Sequence, residues 1–230
     1  MSSTLAVQLT NFYKTLKMPV GLPKGVGVLF PQSGKEVMRV TKIFFEKYYN
    51  DNIPRRLIFG INPGRFGGGI TGINFTAPRQ LTNNCGIDHP FGNSSELSAE
   101  FIYEVIEAYG GPAKFYGDYF ISAVSPLGFV KNGVNMNYYD DKKLQETITP
   151  FIIKNIKKQL TFGFRQDMCI CIGGEKNYKF FSNLNKEYGF FETIIPLPHP
   201  RFILQYKRKQ KESYIRQYLE PLGKKTPPFV

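Results

Sequence analysis

Apolar positions along this chain follow two alternating rhythms. Between residues 33 and 50, Val37, Val40, Ile43, Phe44 and Tyr48 recur at helical spacing, and residues 3–17 read as an earlier helix. Residues 56–61, RLIFGI, form a short continuous apolar run, the pattern of a buried strand. Three more such runs follow: DYFISAV at 118–124, DMCICI at 167–172 and ETIIPL at 192–197. Helical stretches separate them, at 94–109, 140–159 and 175–188, and a basic helix over about 203–219 closes the chain. Strands alternating with helices predict a parallel sheet with right-handed crossovers. The fold expected is α/β, a three-layer α/β/α domain over residues 1–230 with a central, mostly parallel four-stranded sheet. Residues 19–31 read as an irregular connector. Residues 76–93 read as a long polar loop, of the kind that is functional or mobile in a compact domain.

The stretch that follows the first strand stands apart. In GINPGRFGGGITGINF, residues 60–75, six of the first thirteen residues are glycine. A strand feeding a glycine-rich turn is how an open α/β sheet builds a site at the carboxyl ends of its strands. Glycine lets a ligand approach main-chain N–H groups closely. Pro63 biases Asn62 to an extended backbone and so aims its amide at the lip of the sheet. Two other strand ends carry punctuation of their own, Ser125-Pro126-Leu127-Gly128 and Pro198-His199-Pro200-Arg201-Phe202. Loops 62–75, 123–128 and 198–203 are therefore expected to gather at one edge of the sheet as a binding site.

Composition narrows the partner. The formal net charge is +12 and the pI near 9.5, which favours a polyanion, nucleic acid first. No apolar run approaches a membrane span, and residues 1–17 lack the apolar core of a secretory signal. The expectation is a protein that is not secreted and has no membrane partner. It would be cytoplasmic, working at a bacterial-type nucleoid, or nuclear if eukaryotic. Three cysteines are too few for a four-thiolate zinc site or iron–sulfur cluster, and they suit a reducing compartment. Neither a metal nor an organic cofactor is called for.

Together the three strand-end motifs resemble the uracil-DNA glycosylase superfamily, and most closely its single-strand-selective monofunctional (SMUG-type) branch. The first matches the family pattern G-M-N-P-G-x-F-G-x-x-x-T-G-x-x-F without a gap, with Ile61 in place of methionine. FISAVSPLGFV at 120–130 and LPHPRF at 197–202 stand where the family carries N-x-C-P-L and H-P-S-P-R. The resemblance covers about residues 55–220. It implies a monofunctional glycosylase that removes uracil from DNA in base excision repair, and Ala123 in its pocket adds the expectation of a deaminated purine, hypoxanthine or xanthine. Its partner would be DNA containing deaminated bases, and the enzyme is read as a monomer.

By that resemblance Asn62 would position the attacking water and His199 would stabilise the departing base. Gly64, Phe66, Phe75 and Ala123 would form the base pocket, Gly64 leaving room and Phe75 stacking on the base. Gly67, Gly68, Arg201 and Phe202 would contact DNA, the last two as a wedge where the base has left. Two departures stand out. The late motif is two residues shorter before its arginine, and the central asparagine that reads the uracil edge aligns with Ala123. An alanine offers neither donor nor acceptor, so a pocket more permissive than a strict uracil pocket is expected.

Each element taken singly has a plainer reading. Asn62-Pro63-Gly64 alone reads as a turn, His199 as a satisfied loop histidine and Phe66 or Phe75 as core. A nucleotide-binding protein lacks support, because residues 64–72 carry no Gly-Lys-Ser/Thr and no dinucleotide fingerprint in its strand–turn–helix setting. A Cys–His hydrolase is weaker still, since the cysteines lie inside or away from the strand ends. The rival of another class is a module that binds lesions or single-stranded DNA without cleaving the base.

Overall fold

The computed structural model of the protein describes residues 3–223. Residues 1–2 and 224–230 lie outside the described residues. In chain order, α1 (Leu5–Lys14), β1 (Val26–Leu29) and α2 (Lys35–Tyr49) precede β2 (Arg56–Gly60). The glycine stretch then holds one helical turn, α3 (Gly68–Thr71). Next come α4 (Pro78–Asn83), α5 (Leu97–Tyr109), α6 (Pro112–Asp118) and β3 (Tyr119–Ala123). A hairpin of β4 (Gly128–Lys131) and β5 (Val134–Met136) leads to α7 (Lys142–Leu160). The remainder is β6 (Arg165–Ile172), α8 (Gly174–Tyr188), β7 (Thr193–Leu197), α9 (Pro200–Tyr206) and α10 (Lys211–Leu219).

The expected sheet is present. β3, β2, β6 and β7 lie in that order, and every neighbouring pair is parallel. Period-two alternation sends its side chains to two helical layers. On one face Ile58, Ile121, Ile170 and Ile172 meet Ile102 and Val105 of α5, Phe115 of α6 and Tyr218 of α10. On the other, Phe59 packs on Phe181 of α8, Ser122 Oγ donates to Gln159 Oε1 of α7, and Cys171 Sγ accepts from Asn177 Nδ2 of α8. Each fully buried Leu, Ile or Phe in these layers stabilises the fold by about 1.5–3 kcal/mol relative to exposure. Cys169 and Cys171 share a face, as their spacing predicts, and both are buried free thiols.

Three expectations are corrected here. The connector at 19–31 contains β1, which pairs antiparallel with β4, and β4 with β5, in a second, three-stranded sheet. The turn between β4 and β5 is Asn132-Gly133, both residues at positive φ (51° and 72°), the two-residue hairpin turn that Asn-Gly favours. The loop at 76–93 begins with α4, opened by Pro78 in its first turn. The basic helix at 203–219 is two helices. Its apolar anchors come in separated groups, Ile203 and Leu204 in α9 against Ile215, Tyr218 and Leu219 in α10, with only polar residues and tyrosines at 205–214 between them.

Candidate active site

Strand register assembles the site. Gly60 pairs with Ala123, and just beyond them Val124 N donates to Gly60 O (2.9 Å) and Ser125 N to Ile61 O (3.1 Å). On the other flank Ile172 pairs with Leu197, and Gly173 N donates to Leu197 O (3.3 Å). The three strand-end loops thus open on one cavity of about 420 Å³. Of the residues expected to act, Asn62, Gly64, Gly68, Phe75, Ala123, His199, Arg201 and Phe202 all line it.

Asn62 is held at both ends of its amide. Oδ1 accepts from Tyr138 N (3.0 Å), and Nδ2 donates to Met136 O and Pro63 O (3.2 Å each). A carbonyl oxygen has two lone pairs, so Oδ1 keeps one for a water in the cavity. Gly64 follows two residues on. A Cβ there would meet only the Asn135 amide, at an ordinary 3.5 Å, so its bare side faces open space.

Phe75 lies over the start of the site. Its ring occupies the place a side chain at Gly60 would need: a Cβ on Gly60 would come within 2.9 Å of Phe75 Cε2. Phe75 itself adopts a positive φ of 52°, a strained backbone for a bulky residue. The close seat against Gly60 is consistent with that strain being held in place by packing. The His199 ring stands 6.1 Å from the Phe75 ring, centroid to centroid and tilted by 53°.

His199 caps α9, its Nδ1 accepting from Arg201 N (3.1 Å). Burial, and next the Arg201 guanidinium, lower its pKa to about 4. The ring is therefore neutral at physiological pH. Because Nδ1 accepts, the single ring proton sits on Nε2, as a donor.

The pocket wall at β3 is bare. Ala123 is buried, and neither neighbouring serine supplements it. Ser122 Oγ is committed to Gln159 on the opposite face, and Ser125 Oγ donates to Leu127 O (2.8 Å). That leaves main-chain groups and Asn74, whose Nδ2 donates to Ile121 O of β3 (3.3 Å) and which also lines the cavity.

Two expected site residues are placed elsewhere. Phe66 does not line the cavity; it is 51% exposed and lies under the Arg65 guanidinium, 4.9 Å from the ring centroid. The chain turns at Gly67, whose φ is +59°, and this swings Phe66 outward. Gly67 is buried beneath Glu96, whose Oε1 would lie 2.1 Å from a Cβ there, and it does not line the cavity. The absent side chain makes room for Glu96 instead.

Glu96 is a site residue that sequence reasoning missed. It lines the cavity, and burial raises its pKa to about 7 although Arg201 pulls the other way. Nothing in the local pattern around Glu96 signals this; only the fold brings it to Gly67. The β4–β5 hairpin was also missed, and it contributes Asn135 and Met136, with Asn137 and Tyr139 just after it. Its Asn-Gly turn was the available signal. Phe202 (43% exposed) and Tyr206 (66%) stand side by side on α9 at the cavity rim, rings 5.8 Å apart. Among the described residues no group of three or more His, Cys, Asp or Glu is placed to hold a metal ion.

The model of the uracil DNA glycosylase superfamily matches residues 46–223. The crystal structure of wild-type Pedobacter heparinus SMUG2 superposes with a TM-score of 0.93 at 44% sequence identity, covering 96% of this chain and 98% of that one. No curated protein sequence matches the chain.

Proposed function

The chain belongs to the uracil DNA glycosylase superfamily, as a SMUG-type member and a hydrolase of N-glycosyl bonds in DNA, and from that premise we propose that it excises uracil together with a deaminated purine, hypoxanthine or xanthine. A base stacked in a duplex cannot be reached, so the nucleotide is extruded into the cavity. Phe75 offers a face for it to stack on. The C1′–N bond breaks with its electron pair going to the base, and the oxygen of a water bonds to C1′ and releases its proton to solvent. Asn62 Oδ1 orients that water through its free lone pair. An amide has little basicity, so the gain is in position rather than proton abstraction.

The leaving base carries negative charge as the bond breaks. A neutral His199 with Nε2–H toward the cavity is a preorganised donor for that charge, the kind of term that usually contributes most to catalysis. The observation that carries the reading is the convergence of the doubly anchored Asn62 and the Nδ1-capped His199 on one cavity faced by Phe75. Breadth of substrate rests on Ala123 and on the two serines turned away from the pocket. A site that makes few hydrogen bonds to its ligand discriminates weakly among analogues.

We read the protein as one domain acting as a monomer on DNA. Among the described residues no helix is long and apolar enough to cross a membrane. The deciding experiment is single-turnover excision from oligonucleotides carrying uracil, hypoxanthine, xanthine or thymine, single-stranded and paired, with abasic sites revealed by alkali. Abasic sites at uracil and at a deaminated purine are expected. Cleavage confined to uracil would refute the broad pocket, and binding without abasic sites would favour the non-catalytic lesion binder.

A further inference from the structure

Besides the Asn62 bond to Met136, Arg65 ties the glycine loop to the β4–β5 hairpin at the cavity mouth. Arg65 N donates to Asn135 Oδ1 (2.9 Å), and the Arg65 guanidinium donates through Nη1 to Gly133 O at the hairpin turn. The first bond settles which way the Asn135 amide faces. With Oδ1 taken by the loop, Nδ2 is the free end, and it lies 3.5 Å from where a Gly64 side chain would begin. Asn135 is exposed and lines the cavity, and among the described residues its two N–H groups are unspent donors at the mouth.

The Arg65 guanidinium is held in the same way. One nitrogen is fixed on Gly133 O, and the plane rests over the Phe66 ring. Among the described residues it has no acidic partner, and the rest of its N–H fork makes no hydrogen bond. A planar cation braced by a carbonyl and a ring has already lost much of its rotamer freedom. What remains is a fork of donors suited to two oxygens of one phosphate. Val134, 65% exposed beside Gly133, caps this corner with an apolar tip.

We propose that Arg65 and Asn135 form a phosphate site, and that it holds a backbone phosphodiester of the DNA strand whose nucleotide enters the cavity. The hairpin is then a DNA contact additional to α9, and Val134 lies against the strand. Charge favours this occupant: a fixed guanidinium and a free amide at the mouth of a site in a chain of net charge +12 meet a polyanion. Phe66, which is outside the base pocket, acquires a role as the platform that holds Arg65. The inference rests on DNA being the substrate and not on which base is removed.

Binding tests it without excision. Fluorescence anisotropy would be measured with a labelled, lesion-free single strand between about 50 and 200 mM salt, where counterion release dominates. Arg65→Ala should lower the slope of log affinity against log salt by about 0.7, the value for one phosphate on a single strand. Arg65→Lys should keep the slope but lose affinity, because a point charge replaces the fork. Arg65→Ala also removes the side-chain tie to Gly133, so Val134→Glu is the companion: at an exposed tip it leaves the fold intact, and it should weaken binding about tenfold by facing a phosphate. A wild-type slope in Arg65→Ala with wild-type affinity in Val134→Glu would overturn the proposal. Altered base preference with unchanged binding would count against it too, by assigning the hairpin to the base. Excision assays on the wild-type protein report separately on which bases are removed.

Discussion

Asn62 Oδ1 accepts a hydrogen bond of 3.0 Å from the main-chain N–H of Tyr138, a residue 76 positions later in the chain. With the two bonds from Nδ2, it makes one side chain both the water-positioning group and the clasp between the glycine loop and the chain leaving the hairpin. Catalysis and local stability are therefore coupled at this residue.

Asn62→Ala is expected to lower single-turnover excision by roughly 10²–10³-fold, the scale of losing one preorganised group. It should also cost about 1–3 kcal/mol in urea unfolding, because the Tyr138 N–H and Met136 carbonyl lose their partner. Full excision by a folded Asn62→Ala protein would remove Asn62 from the mechanism.

His199 has a sign that can be checked. Its folded pKa, about 4, lies below the ordinary value of 6.5. The neutral ring therefore favours the folded state above pH 6.5, and that contribution is lost as pH falls from there through about 4. Excision should show no loss from this ring at pH 6, where a free histidine would already be largely protonated, and should fail only near pH 4. His199→Ala should reduce the rate by about 10²–10³-fold at pH 7. A rate that titrates near 6.5 in the wild type but not in His199→Ala would mean the ring is not held neutral.

Ala123→Asn restores a donor and an acceptor to the bare wall at β3. The ratio of uracil to hypoxanthine single-turnover rates should shift toward uracil, by about tenfold for one new hydrogen-bonded edge. An unchanged ratio would place base selection elsewhere in the cavity, with Asn74 the next residue to replace.

Glu96 titrates in the opposite sense to His199. Its folded pKa, about 7, is raised above the ordinary 4.5 by burial. Its favourable contribution to folding is thus complete below pH 4.5 and lost as pH rises through 7. Glu96→Gln should therefore melt higher than the wild type at pH 8 and not at pH 4. Above pH 7 the ionised carboxylate also adds negative charge beside Arg201, so wild-type affinity for DNA should fall between pH 6 and 8. Affinity of the Glu96→Gln protein should be flat over that range, and a parallel fall in both would clear Glu96 of any part in binding.

How much of this was legible in the chain differs by element. The four central strands and the long helices between them, α5, α7 and α8, follow from local apolar runs, which need no partner to be recognised. Gly60 through Phe75 was legible for another reason: a loop that must pass backbone close to a ligand can use few residue types, and glycine and proline leave a visible trace. His199 was legible because it stands directly at a strand end. The β4–β5 hairpin was written as Asn132-Gly133, but its strands of four and three residues are too short to show a period.

By itself the sequence determined the parallel sheet, the three strand ends and the residue types brought to them, because strand direction and loop position follow from the order of local elements. Tertiary structure alone decided which atoms of those residues are free. That Asn62 keeps one lone pair follows from Tyr138, that His199 carries its proton on Nε2 follows from the cap on α9, and that Phe66 faces solvent follows from the turn at Gly67. Hydrogen-bond direction and desolvation depend on neighbours distant along the chain, and distance along the chain is what a linear pattern does not encode. Glu96 is the clearest case: a polar residue just before a helix becomes a half-buried carboxyl on a glycine only when α5 is packed against the loop.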